Sequence, residues 1–174
     1  MNRMKKPIVF FILWPFLLVI STLSWAWEAR VVYVADGDTI TVEPIEGGDR
    51  SKIRLHGIDC PETKQPYGQT AKAFTNEAVM FKEVDIQPSQ QAKDRYGRIV
   101  AVVEIQGGAV LQELLLEAGL AWVYTKYCKD CGAWEAKEAE AQRQRKGLWT
   151  DEEPMEPWKW RTAERNRHLG PTKE

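Results

Sequence analysis

Apolar positions change their period several times along this chain of 174 residues. Residues 7–23 form a nearly unbroken apolar run. Residues 29–35 carry Val31, Val32 and Val34, a β-branched stretch that predicts a strand. Asp36-Gly37-Asp38 turns the chain, and residues 39–43 alternate as a second strand. A polar turn through Gly47 and Gly48 leads to a third strand over residues 52–58. Alternation puts Ile53, Leu55 and Gly57 on one face of it and Arg54, His56 and Ile58 on the other. Beyond Pro61 and Pro66 the period becomes helical, with Ala71, Phe74, Ala78 and Phe81 spaced by three and four over residues 67–81. Residues 83–87 read as a short strand, 94–97 as a turn and 98–105 as a fifth strand. After Gly107-Gly108, the positions Val110, Leu111, Leu114, Leu115 and Ala118 draw a helix stripe closed by Gly119. Residues 120–124 are a short extended piece. A last helix is expected over residues 133–146, acidic early and basic late as its dipole favours, with Leu148 and Trp149 folding back behind Gly147. Five short strands with helices after the third and fifth predict an α+β, mainly β barrel with helices packed on it, spanning residues 27–150. The Pro-, Glu- and Arg-rich residues 151–174 are expected to form a loosely ordered tail.

The apolar run near the start changes the reading of where this barrel resides. Arg3, Lys5 and Lys6 precede it, and Ser24 and Ala26 stand at the −3 and −1 positions of a cleavage site. This is the pattern of a secretory signal peptide over residues 1–26, so an exported protein, periplasmic or secreted, is expected. The competing reading is an uncleaved membrane anchor, for which seventeen residues interrupted by Pro15 sit at the lower limit. Cleavage removes three basic residues and no acid, taking the formal net charge from −1 to −4. An acidic chain counts against a general electrostatic binder of nucleic acid, but not against an enzyme that places positive charge locally. Oxidising surroundings favour a disulfide between Cys128 and Cys131, with free thiols or a zinc site as the alternatives, and leave Cys60 unpaired.

The charges then concentrate. Asp36-Gly37-Asp38-Thr39, Arg54, Asp59-Cys60-Pro61-Glu62 and Asp94-Arg95-Tyr96-Gly97-Arg98 all lie at or beside predicted turns. Hydrolysing a phosphodiester needs a cation on the phosphate, donors to its equatorial oxygens and a base for water. Asp38 and Asp59 are hard oxygen ligands suited to Ca²⁺; the bland alternative is that each merely stabilises its turn. Arg54 and Arg98 could each grip phosphate through a guanidinium fork or form a surface salt bridge. Glu62 could serve as general base or as a solvated loop glutamate.

In this order and spacing the motifs resemble the staphylococcal-nuclease (thermonuclease) family. The likeness extends through Tyr67-Gly68, Ala73-Phe74, Gly119-Leu120-Ala121 and Gly147-Leu148-Trp149, and covers residues 31–149. It implies a five-stranded oligonucleotide/oligosaccharide-binding (OB) barrel with three helices, and Ca²⁺-dependent cleavage of DNA and RNA with little sequence preference. It implies one Ca²⁺ ion held by Asp38, Asp59 and the backbone carbonyl of Cys60, with Arg54, Glu62 and Arg98 catalytic. Cys60 departs from the family's frequent threonine, and the loop after Glu62 is short. Tyr96, Tyr124 and Tyr127 are candidates for nucleic-acid contact, or else for core packing. His56 and His168 read as structural or incidental. A monomer without a stable protein partner is expected, and no membrane contact once the leader is gone. The alternative function is a non-catalytic OB module that binds nucleic acid or protein, which would bind single strands in Ca²⁺ without cutting them.

Overall fold

The alternation around residues 29–35 becomes β1 (Trp27–Asp36), whose Ala29, Val31 and Val34 point into the core. This is a computed structural model and describes residues 26–128 and 130–169. The expected leader therefore lies outside the described residues, except for Ala26. A step of two between inward positions gives way to three at Val34 because a bulge interrupts the pairing of β1 between Val31 and Tyr33. β1 pairs antiparallel with β2 (Thr39–Pro44), and β2 with β3 (Ser51–Leu55). On its other side β1 pairs with β5 (Glu83–Lys93), and β5 with β6 (Ile99–Ile105). β3 and β6 then join in parallel, Leu55 opposite Ala101, which shuts the five strands into a closed barrel. The result is the α+β, mainly β OB-type barrel expected. The two-residue β7 (Ala109–Val110) extends the β6 edge.

The predicted third strand is two pieces. β3 ends at Leu55, His56 and Gly57 make a turn with Gly57 at φ +71°, and β4 (Ile58–Asp59) follows. Ile58 is consequently buried beside Ile53 and Leu55 instead of on the opposite face, and His56 does not share a strand face with Arg54. The break frees β4 to pair with β8 (Trp122–Val123), Asp59 opposite Trp122.

Three helices pack on the barrel as predicted in place, with differences in detail. α1 (Gly68–Val79) buries Ala71, Thr75 and Val79, while Phe81 lies past its end, exposed and at φ +62°. α2 (Leu111–Glu117) buries Leu111, Leu115 and Leu116, together with Gln112. That buried amide is satisfied: Oε1 accepts from Val103 N at 3.2 Å and Nε2 donates to the Ala101 carbonyl at 3.0 Å. α3 (Gly132–Arg143) is followed by a 3₁₀ turn over Gly147–Thr150. There Leu148 N donates to the Gly119 carbonyl at 2.9 Å, and Trp149 meets Trp122 edge-on at 4.3 Å, forming a second small core with Ala141.

The tail corrects expectation. Pro157–Leu169 is a fourth helix, α4, and it returns to the barrel. Its start is fastened by Gln65, whose side-chain amide donates to the Met155 carbonyl at 2.6 Å. Composition hid it because its apolar surface is small; a proline at the first helical position was the available signal.

Candidate active site

The turn at residues 36–39 is held from both sides. Thr75 of α1 donates its hydroxyl to the Gly37 carbonyl at 2.7 Å, and Asp36 Oδ1 accepts from Asp38 N at 3.1 Å, the turn role expected of Asp36. A Cβ on Gly37 would lie 2.8 Å from the Cβ atoms of both Ala71 and Cys60, so only glycine lets Cys60 pack there. Cys60 is buried, and its backbone N–H donates to Asp38 Oδ2 at 2.7 Å. One carboxylate thus ties the first motif to the second across 22 residues of sequence.

Arg54 leaves β3 at its end and turns inward. Its Nη1 donates to the carbonyls of Leu55 and Ile58, both at 2.9 Å, which fixes the plane of the guanidinium. Its Nη2 lies 2.7 Å from Asp59 Oδ1 and 3.1 Å from Asp38 Oδ2. Two buried carboxylates therefore converge on a single nitrogen. Burial works to lower the pKa of Arg54, but Asp38 and Asp59 outweigh it and hold the group above its ordinary value. Burial and the neighbouring Asp38 push Asp36 up to about 7. In Asp59, burial drives the carboxyl upward against the pull of its arginine partners. Burial likewise pushes the Cys60 thiol well up.

Arg98 follows the turn at residues 94–97. Asp94 Oδ2 accepts from its Nε at 2.7 Å, and Asp94 Oδ1 accepts the backbone N–H groups of Tyr96 and Arg98 at 2.9 and 3.0 Å. Although burial opposes it, these bonds keep Asp94 below the usual carboxylate range. Arg98 Nη1 donates to the Thr39 hydroxyl at 3.2 Å, and that hydroxyl donates to Asp38 Oδ1 at 3.2 Å. A relay of Arg98, Thr39 and Asp38 thereby connects the late turn to the early one.

Glu62 sits at the rim. The loop after it is two consecutive turns, Gln65 N to the Glu62 carbonyl at 2.7 Å and Gly68 N to the Gln65 carbonyl at 3.0 Å. A Cβ on Gly68 would collide with the Glu62 carbonyl at 1.9 Å, so glycine is required where α1 begins.

An open cleft of about 1660 Å³ is lined by Asp36, Asp38, Arg54, Asp59, Glu62 and Arg98. Tyr96, Tyr124 and Tyr127 line it too. Tyr96 is exposed, with the guanidinium carbons of Arg95 and Arg98 at 4.8 and 5.5 Å from its ring centre. Tyr124 and Tyr127 meet edge-on at 5.0 Å, and Cys128 and Cys131 are joined by a disulfide beside them. This places none of the three tyrosines in the core. His56 lies 6.4 Å from the Trp134 ring, and burial lowers its pKa. His168 is on the exposed side of α4.

One residue of this site escaped sequence reasoning. Arg161 of α4 donates from Nη2 to Asp59 Oδ2 at 2.7 Å and from Nη1 to Glu62 Oε1 at 2.6 Å. One turn earlier, Trp158 stacks on Tyr124 with centroids 4.9 Å apart and planes 5° from parallel. Their spacing of three, followed by four to Arg165, was the pattern that could have revealed a helix face.

Whether a cation fits can be judged from the donors. Among the described residues no three His, Cys, Asp or Glu side chains gather to hold a metal by themselves. What the site offers is two converging carboxylates, with main-chain oxygen and water to complete a shell. Such an all-oxygen set suits a hard cation, and Cys60, whose thiol is held protonated, does not bias it toward zinc.

Comparison with known proteins agrees with this geometry. The model of the family described as staphylococcal nuclease homologue matches residues 52–151. The chain is 38% identical over 160 residues to an uncharacterized endonuclease of Escherichia coli, covering 91% of this chain and 97% of that one. It is 36% identical over 159 residues to a micrococcal nuclease of Shigella flexneri, covering 86% and 89%. An uncharacterized endonuclease of Haemophilus influenzae is 39% identical over 137 residues, 78% of this chain and 74% of the relative. With a family model spanning more than half of its length and relatives matched nearly end to end, the chain belongs to the staphylococcal nuclease homologue family.

Proposed function

We propose that the protein is an exported, Ca²⁺-dependent endonuclease that hydrolyses phosphodiester bonds of DNA and RNA with little sequence preference. The observation that carries the reading is the convergence of Asp38 Oδ2 and Asp59 Oδ1 on one nitrogen of Arg54, in a cleft that Arg98 and Glu62 also line. Endonuclease and micrococcal nuclease are the names borne by relatives, which supports the same chemistry. Asp38, Asp59 and the Cys60 carbonyl would hold the cation. The chemistry a bound cation would supply there is neutralisation of the phosphate charge.

The chain's own groups do the rest. Glu62 takes a proton from the attacking water, whose oxygen bonds to phosphorus as the opposite phosphorus–oxygen ester bond breaks and the leaving oxygen takes a proton from solvent. Arg54 and Arg98 donate N–H bonds to the equatorial oxygens as their charge grows. Arg54, raised by its carboxylate neighbours, stays charged, so its role is a hydrogen-bond donor and not a proton source. Asp94 and the Leu55 and Ile58 carbonyls fix both guanidiniums beforehand, which limits the reorganisation needed at reaction. Tyr96 and Tyr127 offer exposed rings to bases or sugars, with Tyr124 beside them under Trp158, and phosphate contacts carry no sequence information.

The test is hydrolysis of plasmid DNA and of RNA by purified protein in Ca²⁺, Mg²⁺ and chelator. Activity in Ca²⁺ that chelator abolishes, and a loss of about 10³-fold or more in Arg54→Ala or Arg98→Ala, are expected. Full activity in chelator or in Glu62→Ala would overturn the mechanism. Export predicts a mature N-terminus at Trp27, and an intact Met1 would refute cleavage.

A further inference from the structure

We infer that helix α4 is a displaceable occupant of the cleft, with Arg161 standing on the acids that a divalent cation needs and Trp158 on the ring that a base would stack on. The inference rests on the cation site proposed above and concerns its regulation.

Two arginines meet on Asp59. Its Oδ1 accepts from Arg54 Nη2 at 2.7 Å, and its Oδ2 accepts from Arg161 Nη2 at 2.7 Å. Arg161 Nη1 also reaches Oδ1 at 3.3 Å and spans to Glu62 at 2.6 Å. Both oxygens of this buried carboxylate are therefore engaged by guanidinium groups. A cation that takes Asp59 as ligand needs one of those oxygens, and two positive groups at contact distance repel strongly where water is scarce. The same bond also occupies Glu62, the group assigned to the water proton. Arg54 is locked by two backbone carbonyls and is 14% exposed in its side chain, whereas Arg161 is 43% exposed. Arg161 is the one that can leave.

A second contact from the same helix points the same way. Trp158 lies parallel on Tyr124 and touches Trp122 edge-on at 6.1 Å. It covers one face of an aromatic ring that lines the cleft. One helix face thus presents a cation to the acids and a flat ring to the aromatic, the two features of a cation-bound strand. Beyond its start, where Pro157 is buried and Gln65 holds the Met155 carbonyl, α4 has few other ties: Lys159, Thr162 and residues 165–168 are exposed, and its ion pairs to Glu156 and Glu164 are local. A cation at Asp38 and Asp59 would exchange with Arg161, release Glu62 and loosen the helix.

The test uses full-length mature protein and Ca²⁺ alone as probe, followed by titration calorimetry and by amide hydrogen exchange. Arg161→Gln should bind Ca²⁺ about fivefold or more tightly, the scale of one partly exposed ion pair. Ca²⁺ should also speed exchange of the α4 amides in the parent protein. Unchanged or weaker Ca²⁺ binding by Arg161→Gln, or α4 amides equally protected with and without Ca²⁺, would overturn the inference. In a second arm, oligothymidylate is titrated in chelator. Trp158→Ala should bind it more tightly, and weaker binding would make Trp158 a part of the strand-binding surface and refute the cover. Asp38→Asn and Asp59→Asn separate the two levels of the argument. If these lose Ca²⁺ while Arg161→Gln matches the parent, only the inference fails; if they bind Ca²⁺ as the parent does, the cation site itself is wrong.

Discussion

Arg54→Ala offers the most direct check on the geometry because it acts on stability as well as chemistry. The side chain makes four short contacts, at 2.7 and 3.1 Å to Asp59 and Asp38 and at 2.9 Å to each of two carbonyls. Removing it leaves two carboxylates in place that are 1% and 6% exposed. Breaking a buried ion pair from one side costs about 3–5 kcal/mol. The lower end applies here, because Arg161 still serves Asp59, and the Cys60 N–H and the Thr39 hydroxyl still serve Asp38. A loss of about 3 kcal/mol should lower the melting temperature of a domain this size by roughly 10 °C. The loss should also depend on pH. Burial already raises the folded-state pKa of Asp59, and without the guanidinium it rises further, so the penalty grows as pH climbs past the ordinary carboxylate range and shrinks toward pH 4. Urea unfolding of the parent and variant in chelator, at pH 4, 5.5 and 7.5, measures both quantities. Adding Asp38→Asn to Arg54→Ala should recover part of the loss. A deficit below about 1 kcal/mol, or one that is flat across pH, would show that Arg54 does not hold these acids together.

Three further outcomes are expected. Asp36 keeps a proton up to about pH 7 in the fold but gives it up near 3.8 when unfolded, so folding is penalised increasingly across that window. In chelator, Asp36→Asn should therefore melt with the parent at pH 4 and above it at pH 7.5, by about 2 kcal/mol after allowing for partial exposure. A gap that does not widen with pH would contradict the assignment. Gly37→Ala should destabilise by about 1–3 kcal/mol, since its methyl would press on Cys60 and Ala71; an unchanged urea midpoint would refute that packing. Cys60, buried with its thiol pushed up, should resist a thiol reagent at neutral pH until the chain unfolds, and rapid labelling of native protein would contradict the burial.

Several elements were legible from residue pattern because their local preference agrees with their tertiary setting. β1, β2 and β6 alternate, α1 repeats every three or four residues, and Gly119 at φ +67° ends the helical region of α2. Where the pattern misled, a non-local partner had intervened. Residues 52–58 look like one strand, yet Gly57 turns so that β4 can meet β8, a pairing some 65 residues distant that no local period encodes. β5 runs on through Pro88 to Lys93, beyond the expected residue 87, because its polar end pairs with β6, Pro88 opposite Ala101 and Lys93 opposite Ile99. The site followed the same division. Asp38, Arg54, Asp59, Glu62, Arg98 and Tyr96 stood in short motifs and line one cleft. Arg161 stood in no motif, and its helix is defined by where it docks. The tail was misread because a helix held by one stacked tryptophan, one arginine and one glutamine needs little apolar surface.

The parallel seam between β3 and β6 carries a consequence for how the protein comes into being. Asp38, Arg54, Asp59 and Glu62 all precede the first helix, but Arg98 and the strand that closes the barrel emerge much later. A nascent or truncated chain ending before residue 99 would carry most of the residues that line the cleft and lack the strand that closes the barrel beside them. Contacts this far apart in sequence also form slowly. The order of synthesis therefore delays the assembled cleft until β6 has joined β3.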